Sequence, residues 1–299
     1  MNCTIIIPTK DRPAGLRAAV ASAFSALPAG GQVLVVDDGT SPPATRTLAA
    51  MTGPAPDVID NPGPSGAAAA RNLGARHARG DVLFFLDDDD AMLPDYPERI
   101  LAALQGPAQS ACFGFSAMRC GNRLVSKRLP EGMIAPDAPI GERLAGLGMG
   151  FWIRRGTFEA MGGIDASLSV NEDTEFFLRL AAEGVPGWYS PRPGVRIRPT
   201  EARTGGDLAS LTSRSRAADR AAAFEHILTR HADFLRAHPA QRLAFARRVV
   251  KYRVRADGLG AARGFIRAQE SGRASLAGDA LRWWLLSLLS ARAARRDRP

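Results

Sequence analysis

Val82-Leu83-Phe84-Phe85-Leu86-Asp87-Asp88-Asp89-Asp90 is the stretch on which the fold turns. Five consecutive apolar residues suit a strand covered on both faces of a sheet. Four carboxylates stand directly at its end, and the ends of strands are where open α/β sheets bind ligands. Carboxylates crowded together repel one another, and a divalent cation bridging them to a phosphate relieves the repulsion. Taken alone, the run reads as well as an acidic solvated loop.

Working outward, the same design recurs. Cys3-Thr4-Ile5-Ile6-Ile7-Pro8 is a β-branched strand rather than a leader, having no charged segment before it. Thr9-Lys10-Asp11-Arg12 forms a turn, and Pro13 opens a helix whose apolar positions Leu16, Val20, Ala23, Phe24 and Leu27 recur at helical spacing. Val33-Leu34-Val35-Val36 is a second strand, ending in Asp37-Asp38-Gly39-Thr40-Ser41. Ser65-Gly66 leads into a small-residue helix, Ala67 to His77, which carries Arg71 and Asn72. Strand, polar turn and helix alternate through the first hundred residues. The pattern predicts an α/β fold with a mostly parallel sheet flanked by helices.

The segments Ile5–Arg12, Val35–Thr40, Ala69–Gly74 and Phe85–Asp90 together resemble the family 2 glycosyltransferases. Gly148–Arg155, Met161–Asp165 and Asn171-Glu172-Asp173 extend the resemblance to about residue 200, in order and spacing. It implies a GT-A nucleotide-binding fold and inverting transfer of a sugar from a nucleotide-sugar, a UDP-sugar foremost, with dTDP and GDP donors left open. By that resemblance, Pro8, Thr9, Asp11, Arg12 and Asp38 contact the nucleoside, while Asp37 holds its loop or binds. Arg71 reaches the base or the phosphates, or pairs with an acidic loop. Asp87 touches ribose and metal, Asp88 assists, and Asp89 ligates Mn²⁺ or Mg²⁺, with the register open by one residue. Asp90 assists too or caps the turn before Pro94.

Asp173 is the expected catalytic base, at the start of a helix over 173–183 with Phe176, Phe177, Leu180 and Ala181 inward; an acid there also suits a helix N-terminus. Glu172 binds an acceptor hydroxyl or shares the helix start. Trp152 offers a face for an acceptor sugar or lies in the core. One departure from the family is a missing histidine in Gly194–Thr200, where Arg196 or Arg198 would neutralise phosphate. Residues 201–207, with Gly205-Gly206, are read as a loop closing over the donor.

The chain has 299 residues and a formal net charge of +9. Three cysteines without paired spacing argue against a disulfide framework or zinc site, and Cys112 and Cys120 are expected to face a hairpin core around Gly121-Asn122. No apolar run approaches the ~20 residues of a membrane span. From residue 209 onward, 19 Arg/Lys face 7 Asp/Glu, so the basic charge is concentrated there. The expected organisation is a catalytic domain over 1–205 and a basic helical region over 206–299. Its helices are read at 208–235, 240–256, a short one through Phe265, and 276–294. The last is amphipathic, with Leu281, Trp284, Leu285, Leu288 and Leu289 on one face. It suits an anionic membrane surface, the catalytic domain or a second subunit. Without a nucleic-acid motif, a nucleic-acid partner is not expected.

The resulting expectation is a cytoplasmic bacterial enzyme, peripheral on the inner face of the membrane. It would act on a glycan or lipid-linked acceptor in surface polysaccharide or capsule synthesis, with a homo-oligomer left open. A metal-dependent nucleotidyltransferase is the first alternative. It is disfavoured because Thr9-Lys10-Asp11-Arg12 is not a glycine-rich phosphate loop. A non-catalytic scaffold is the second, disfavoured by the retained carboxylates.

Overall fold

The computed structural model describes residues 1–63, 66–197 and 215–270. The expected loop at 201–207, Arg198 and the helix at 276–294 lie outside them. In chain order the elements are β1 (Cys3–Thr9), α1 (Pro13–Ala26), β2 (Gln32–Asp37), α2 (Ala44–Leu48), β3 (Asp57–Asp60) and α3 (Ala67–His77). Then come β4 (Val82–Phe85), β5 (Ala91–Met92), α4 (Tyr96–Leu104), β6 (Phe113–Cys120), β7 (Arg123–Val125) and β8 (Gly132–Ile134). The first unit closes with α5 (Ile140–Arg143), β9 (Trp152–Arg154), α6 (Arg155–Ala160), α7 (Glu172–Ala182) and β10 (Gly187–Ile197). Three helices follow, the last of them basic: α8 (Ala217–Arg230), α9 (Ala232–Arg236) and α10 (Pro239–Glu270).

All strands join one sheet in the order β3-β2-β1-β4-β9-β6-β10-β5, with β7 on β6 and β8 on β10. β3, β2, β1 and β4 run parallel, as do β6 and β10. β9 runs against both β4 and β6. Every residue of β1, β2 and β4 is buried, as strands covered on both faces must be. Their alternation splits into two cores. Ile5, Ile7, Val33, Val35, Val82 and Phe84 join one with Leu16, Val20 and Tyr96. Ile6, Val36, Leu83 and Phe85 join the other with Phe151, Phe176 and Phe177. The α3 helix lies close on the sheet because Gly74 has no side chain: a Cβ there would meet Ile6 at 2.5 Å.

The reversal at β9 needs a special entry. Gly150 has φ 59°, and its carbonyl accepts from the buried Tyr96 hydroxyl. Ser116 Oγ accepts from Gly194 N (3.0 Å) inside a bulge of β10. A side chain on Gly194 would strike the Tyr96 ring.

Two expectations need correction. Trp152 is 0% exposed, packed over Gly114 in the middle of the sheet. It is a core residue with no face for a sugar, because β9 lies between two strands rather than at an edge. Cys112 and Cys120 are both half-buried, since the β6–β7 hairpin runs out past the core.

Spatial contacts divide the chain into two units. One holds the sheet and its helices; the other holds Leu168–Asn171 and α8 to α10. Within the second, Phe224 packs on Phe245 and stacks on Tyr252, and Arg253 pairs with Glu225 at 2.7 Å. α10 is interrupted at Gly258, where φ is 82°, close to the expected break after residue 256. α8 and α9 meet at His231, whose φ/ψ of −106°/26° breaks the single helix expected over 208–235.

Candidate active site

The carboxyl ends of β1, β2 and β4 lie side by side, because Thr9 pairs with Asp37 and Ile6 with Phe85. Three polar turns therefore meet at one edge. Leu86 N continues the ladder to Ile6 O at 3.0 Å, and the acidic run begins immediately afterwards. Gly15 makes room for it: a Cβ there would sit 2.6 Å from the Asp88 carbonyl.

The four aspartates have separate surroundings. Asp87 is the most exposed, its side chain 37% accessible, and it pairs with Arg71 Nη2 at 2.6 Å. Asp88 is buried and turned toward β1. It accepts from Thr9 Oγ1 (2.8 Å), Arg12 Nη1 (2.8 Å) and Lys10 N (3.4 Å). Burial pushes its carboxyl up to about 6, against the opposing pull of Arg12 and Thr9. Asp89 is buried and shares the same Arg12 nitrogen, also at 2.8 Å. Asp90 is buried as well, its amide donating to Asp87 O at 3.0 Å.

Oxygens of Asp87, Asp89 and Asp90 lie within 4.8 Å of one another. An all-carboxylate set open to solvent on the Asp87 side fits a hard divalent cation that keeps waters and phosphate oxygens, so the residues present suit Mn²⁺ or Mg²⁺. Asp90 is the member that sequence reasoning left at a turn; only the fold of the tetrad distinguishes it from Asp88.

Asp38 is also buried, accepting from Asn61 Nδ2 (2.7 Å) and Gly66 N (2.8 Å), with Lys10 Nζ at 3.8 Å. Asp37 accepts from Thr40 N and Ala44 N, both at 2.7 Å, and so holds its loop. Asp11 has φ 53° and accepts from Ser41 N (3.2 Å), tying the first turn to the second. Pro8 is buried within β1, in register with Val36.

Arg71 joins the two halves of the site. Almost wholly buried, it reaches Asp87 and also Glu172 Oε1 at 3.2 Å. Burial lowers its pKa, but Asp87, Glu172 and Asp173 more than reverse this and hold it charged. Next to it, Asn72 makes a two-way clamp, donating to Ile164 O (2.7 Å) and accepting from Ile164 N (2.8 Å). Gly163, at φ 72°, lets that loop approach. Asn171 (φ 57°) then turns the chain into α7.

At the start of α7, Asp173 is half-buried. Its Oδ1 accepts from Thr174 N (2.6 Å) and Thr174 Oγ1 (3.3 Å). Desolvation raises its pKa, against the Thr174 bonds and Arg71; burial raises that of Glu172 likewise, against Arg71. A Cβ on Gly146 would lie 3.4 Å from Asp173 Oδ2, and one on Gly148 4.0 Å from Asp90 Oδ2. The Gly146-Leu147-Gly148 stretch therefore runs past the proposed base and the acidic cluster alike. It is anchored by buried Arg143, which donates to the carbonyls of Pro136, Leu180, Ala181 and Val185 at 2.5–3.2 Å. Arg196, in register with Ala91 next to Asp90, is exposed at the same edge.

The model of the family described as Glycosyl transferase family 2 matches residues 4–174, more than half of the chain. The chain belongs to glycosyl transferase family 2. Relatives of this family 2 member include an uncharacterized glycosyltransferase of Haemophilus influenzae, 30% identical over 188 residues, 60% of this chain and 62% of that protein. The O-antigen biosynthesis protein RfbC of Myxococcus xanthus is 29% identical over 206 residues, 61% of this chain and 16% of that protein. The chain thus spans less than two thirds of either relative. Among solved structures, S. aureus TarS 1-349 in complex with UDP-GlcNAc aligns with TM-score 0.70 at 15% identity, covering 99% of this chain and 91% of that one. GalNAc-T7 with UDP, GalNAc and Mn2+ aligns with TM-score 0.52 at 16% identity, over 66% of this chain and 44% of that one. Both likenesses show a GT-A fold for this family 2 glycosyltransferase.

Proposed function

We propose that this family 2 glycosyltransferase moves a sugar, with inversion, from a UDP-sugar to a hydroxyl of a glycan or lipid-linked acceptor in surface polysaccharide synthesis. The observation that carries the reading is the Arg71 bridge, which holds Asp87 of the acidic cluster and Glu172, neighbour of Asp173, at one edge. UDP-GlcNAc in TarS and O-antigen synthesis in the RfbC relative support the donor and acceptor classes.

In this reading the Pro8–Arg12 turn and Asp38 seat the nucleoside. Asp87, Asp89 and Asp90 would hold Mn²⁺ or Mg²⁺, which when bound supplies Lewis-acid charge to the departing diphosphate. Asp173 has one oxygen occupied by Thr174 and turns the other, Oδ2, toward the gap over Gly146. There it accepts the acceptor hydroxyl's proton as that oxygen attacks the anomeric carbon. Its desolvation makes it a stronger base than an exposed carboxylate. Glu172 is engaged by Arg71, so a single displacement with one free base is favoured over a route through a second carboxylate nucleophile.

Among the described residues no helix is long and apolar enough to cross a membrane. The second unit instead carries a cationic stripe. Arg247, Lys251 and Arg255 recur every four residues on α10 beside Arg248, and all four are exposed. Such a face suits the headgroups of an anionic membrane bearing the acceptor.

The deciding experiment is thermal stability against a panel of nucleotides, with and without Mn²⁺, for the wild type and Asp89→Asn. Stabilisation by UDP only with metal, lost in the variant, is expected. A different nucleotide winning changes the donor, and no response to any nucleotide sinks the transferase mechanism.

A further inference from the structure

Asp89 belongs to two arrangements at once. It is one of the three clustered carboxylates, and its Oδ2 is also 2.8 Å from Arg12 Nη1. That nitrogen is simultaneously 2.8 Å from Asp88 Oδ1. Asp88 uses its other oxygen on Thr9, so it is fixed to the first turn and stands outside the cluster. Arg12 itself is largely buried, its side chain 13% accessible. A single guanidinium nitrogen thus lies between two buried carboxylates in a run of four, where their mutual repulsion is strongest.

We propose that Arg12 is a resident counter-ion of the acidic run, which withholds Asp89 from the divalent cation until a diphosphate arrives to take the guanidinium in exchange. The proposal rests on the donor-and-metal reading of the same site, moves Arg12 from the nucleoside to the diphosphate, and adds an order of events. Without nucleotide, Arg12 supplies the positive charge the carboxylates need, and a dication approaching Asp89 meets a cation already there. A diphosphate offers Arg12 paired oxygens that match its planar fork. Once Arg12 turns to them, its hold on Asp89 is lost and the opposition between Arg12 and the cation becomes cooperation. Metal and nucleotide are then coupled through one side chain, and the coupling is reciprocal.

The test is Mn²⁺ binding to the full chain, read as loss of the free-ion electron paramagnetic signal, with and without UDP. Wild type is compared with Arg12→Gln and with Arg17→Gln, which removes an exposed charge from α1, the helix that Arg12 precedes. Without UDP, Arg12→Gln is expected to bind Mn²⁺ about tenfold more tightly than wild type, within the usual range of such couplings. The gain that UDP confers on Mn²⁺ affinity should shrink in that variant and persist in Arg17→Gln. Melting in EDTA should show Arg12→Gln less stable than wild type, with the gap closing on saturation with Mn²⁺. Unchanged or weaker Mn²⁺ affinity in Arg12→Gln overturns the proposal, as does an equal gain in Arg17→Gln. Should Arg12→Gln not fold, Arg12→Met decides in its place, tighter Mn²⁺ binding supporting the proposal and equal or weaker binding overturning it. The two readings fail differently. Mn²⁺ bound by Arg12→Gln but never by wild type, even with UDP, overturns the exchange and removes metal from the donor mechanism. No Mn²⁺ on any of the proteins overturns both.

Discussion

Asp173 illustrates how far a single residue can be read. Its place at a helix start was visible from the acidic triplet and the apolar spacing after it, because a first-turn acid has a simple electrostatic reason. That Thr174 occupies one oxygen and Gly146 leaves space by the other depends on a loop whose path no local pattern encodes. Asp173→Asn should lower turnover by roughly 10²–10⁴ while UDP affinity, followed by calorimetry, stays near wild type. Because burial raises the pKa of Asp173, kcat/KM should fall on its acid side at a pH above the ordinary carboxylate range. An acid limb at the value of an exposed aspartate would contradict the assignment. Asp88 shows a second consequence of burial. Its folded value of about 6 exceeds the 3.8 of the free side chain. The protonated form is therefore the one the fold prefers. Its contribution is complete below about pH 4 and disappears as pH rises through 6, on the order of 3 kcal/mol at about 1.4 kcal/mol per pH unit. Chemical denaturation in EDTA should show this decline between pH 4 and 7, and Asp88→Asn should flatten it.

At the scale of elements, the first strands and helices were legible because their periods are clean. β1, β2 and β4 are continuous apolar runs, and α3 is bounded by Gly66 and the charged pair Arg76-His77. Of the later strands, the hairpin around Gly121-Asn122 was expected and Gly148–Arg155, which holds β9, was marked by resemblance alone, while β5 and β8 were not read. β9 has three residues and β5 two, too short for a period to show, and β10 is interrupted by Pro191 and Pro193 and bent by its bulge. Asn72 was noted only as part of a motif, yet it does the joining: its amide binds both backbone groups of Ile164 and so fixes the loop that delivers α7. Asn72→Ala should cost about 2–3 kcal/mol in urea unfolding, two hydrogen bonds and the desolvation of what they leave behind. Gly163→Ala should also destabilise, since a Cβ would come 2.7 Å from Asn72 Oδ1. In the Asn72→Ala background that cost should shrink, because the clashing atom is gone. Strictly additive effects would show that the two residues are not in contact.

For the whole molecule, charge asymmetry was readable by counting, whereas the placement of charge was not. The stripe on α10 depends on which helical face packs against α8, and the buried set Phe245, Val249 and Tyr252 settles that. Replacing Arg247, Arg248, Lys251 and Arg255 with glutamine should abolish sedimentation with anionic vesicles while turnover on a soluble acceptor is retained; vesicle binding that survives would move the membrane contact elsewhere. The reversed strand between β4 and β6, β9, has a wider consequence. It separates the sheet into a leading part, residues 1–92, which holds the Pro8–Arg12 turn, Asp38 and the acidic run, and a trailing part, from Phe113, which holds Glu172 and Asp173. Between the two, strand pairing runs along only two seams, three residue pairs from β4 to β9 and two from β5 to β10. A recombination event falling between Met92 and Phe113 would therefore part the turns proposed for the donor from those proposed for the acceptor, and a hybrid would have to keep the Arg71 bridge to Glu172 and the Asn72 clamp on Ile164.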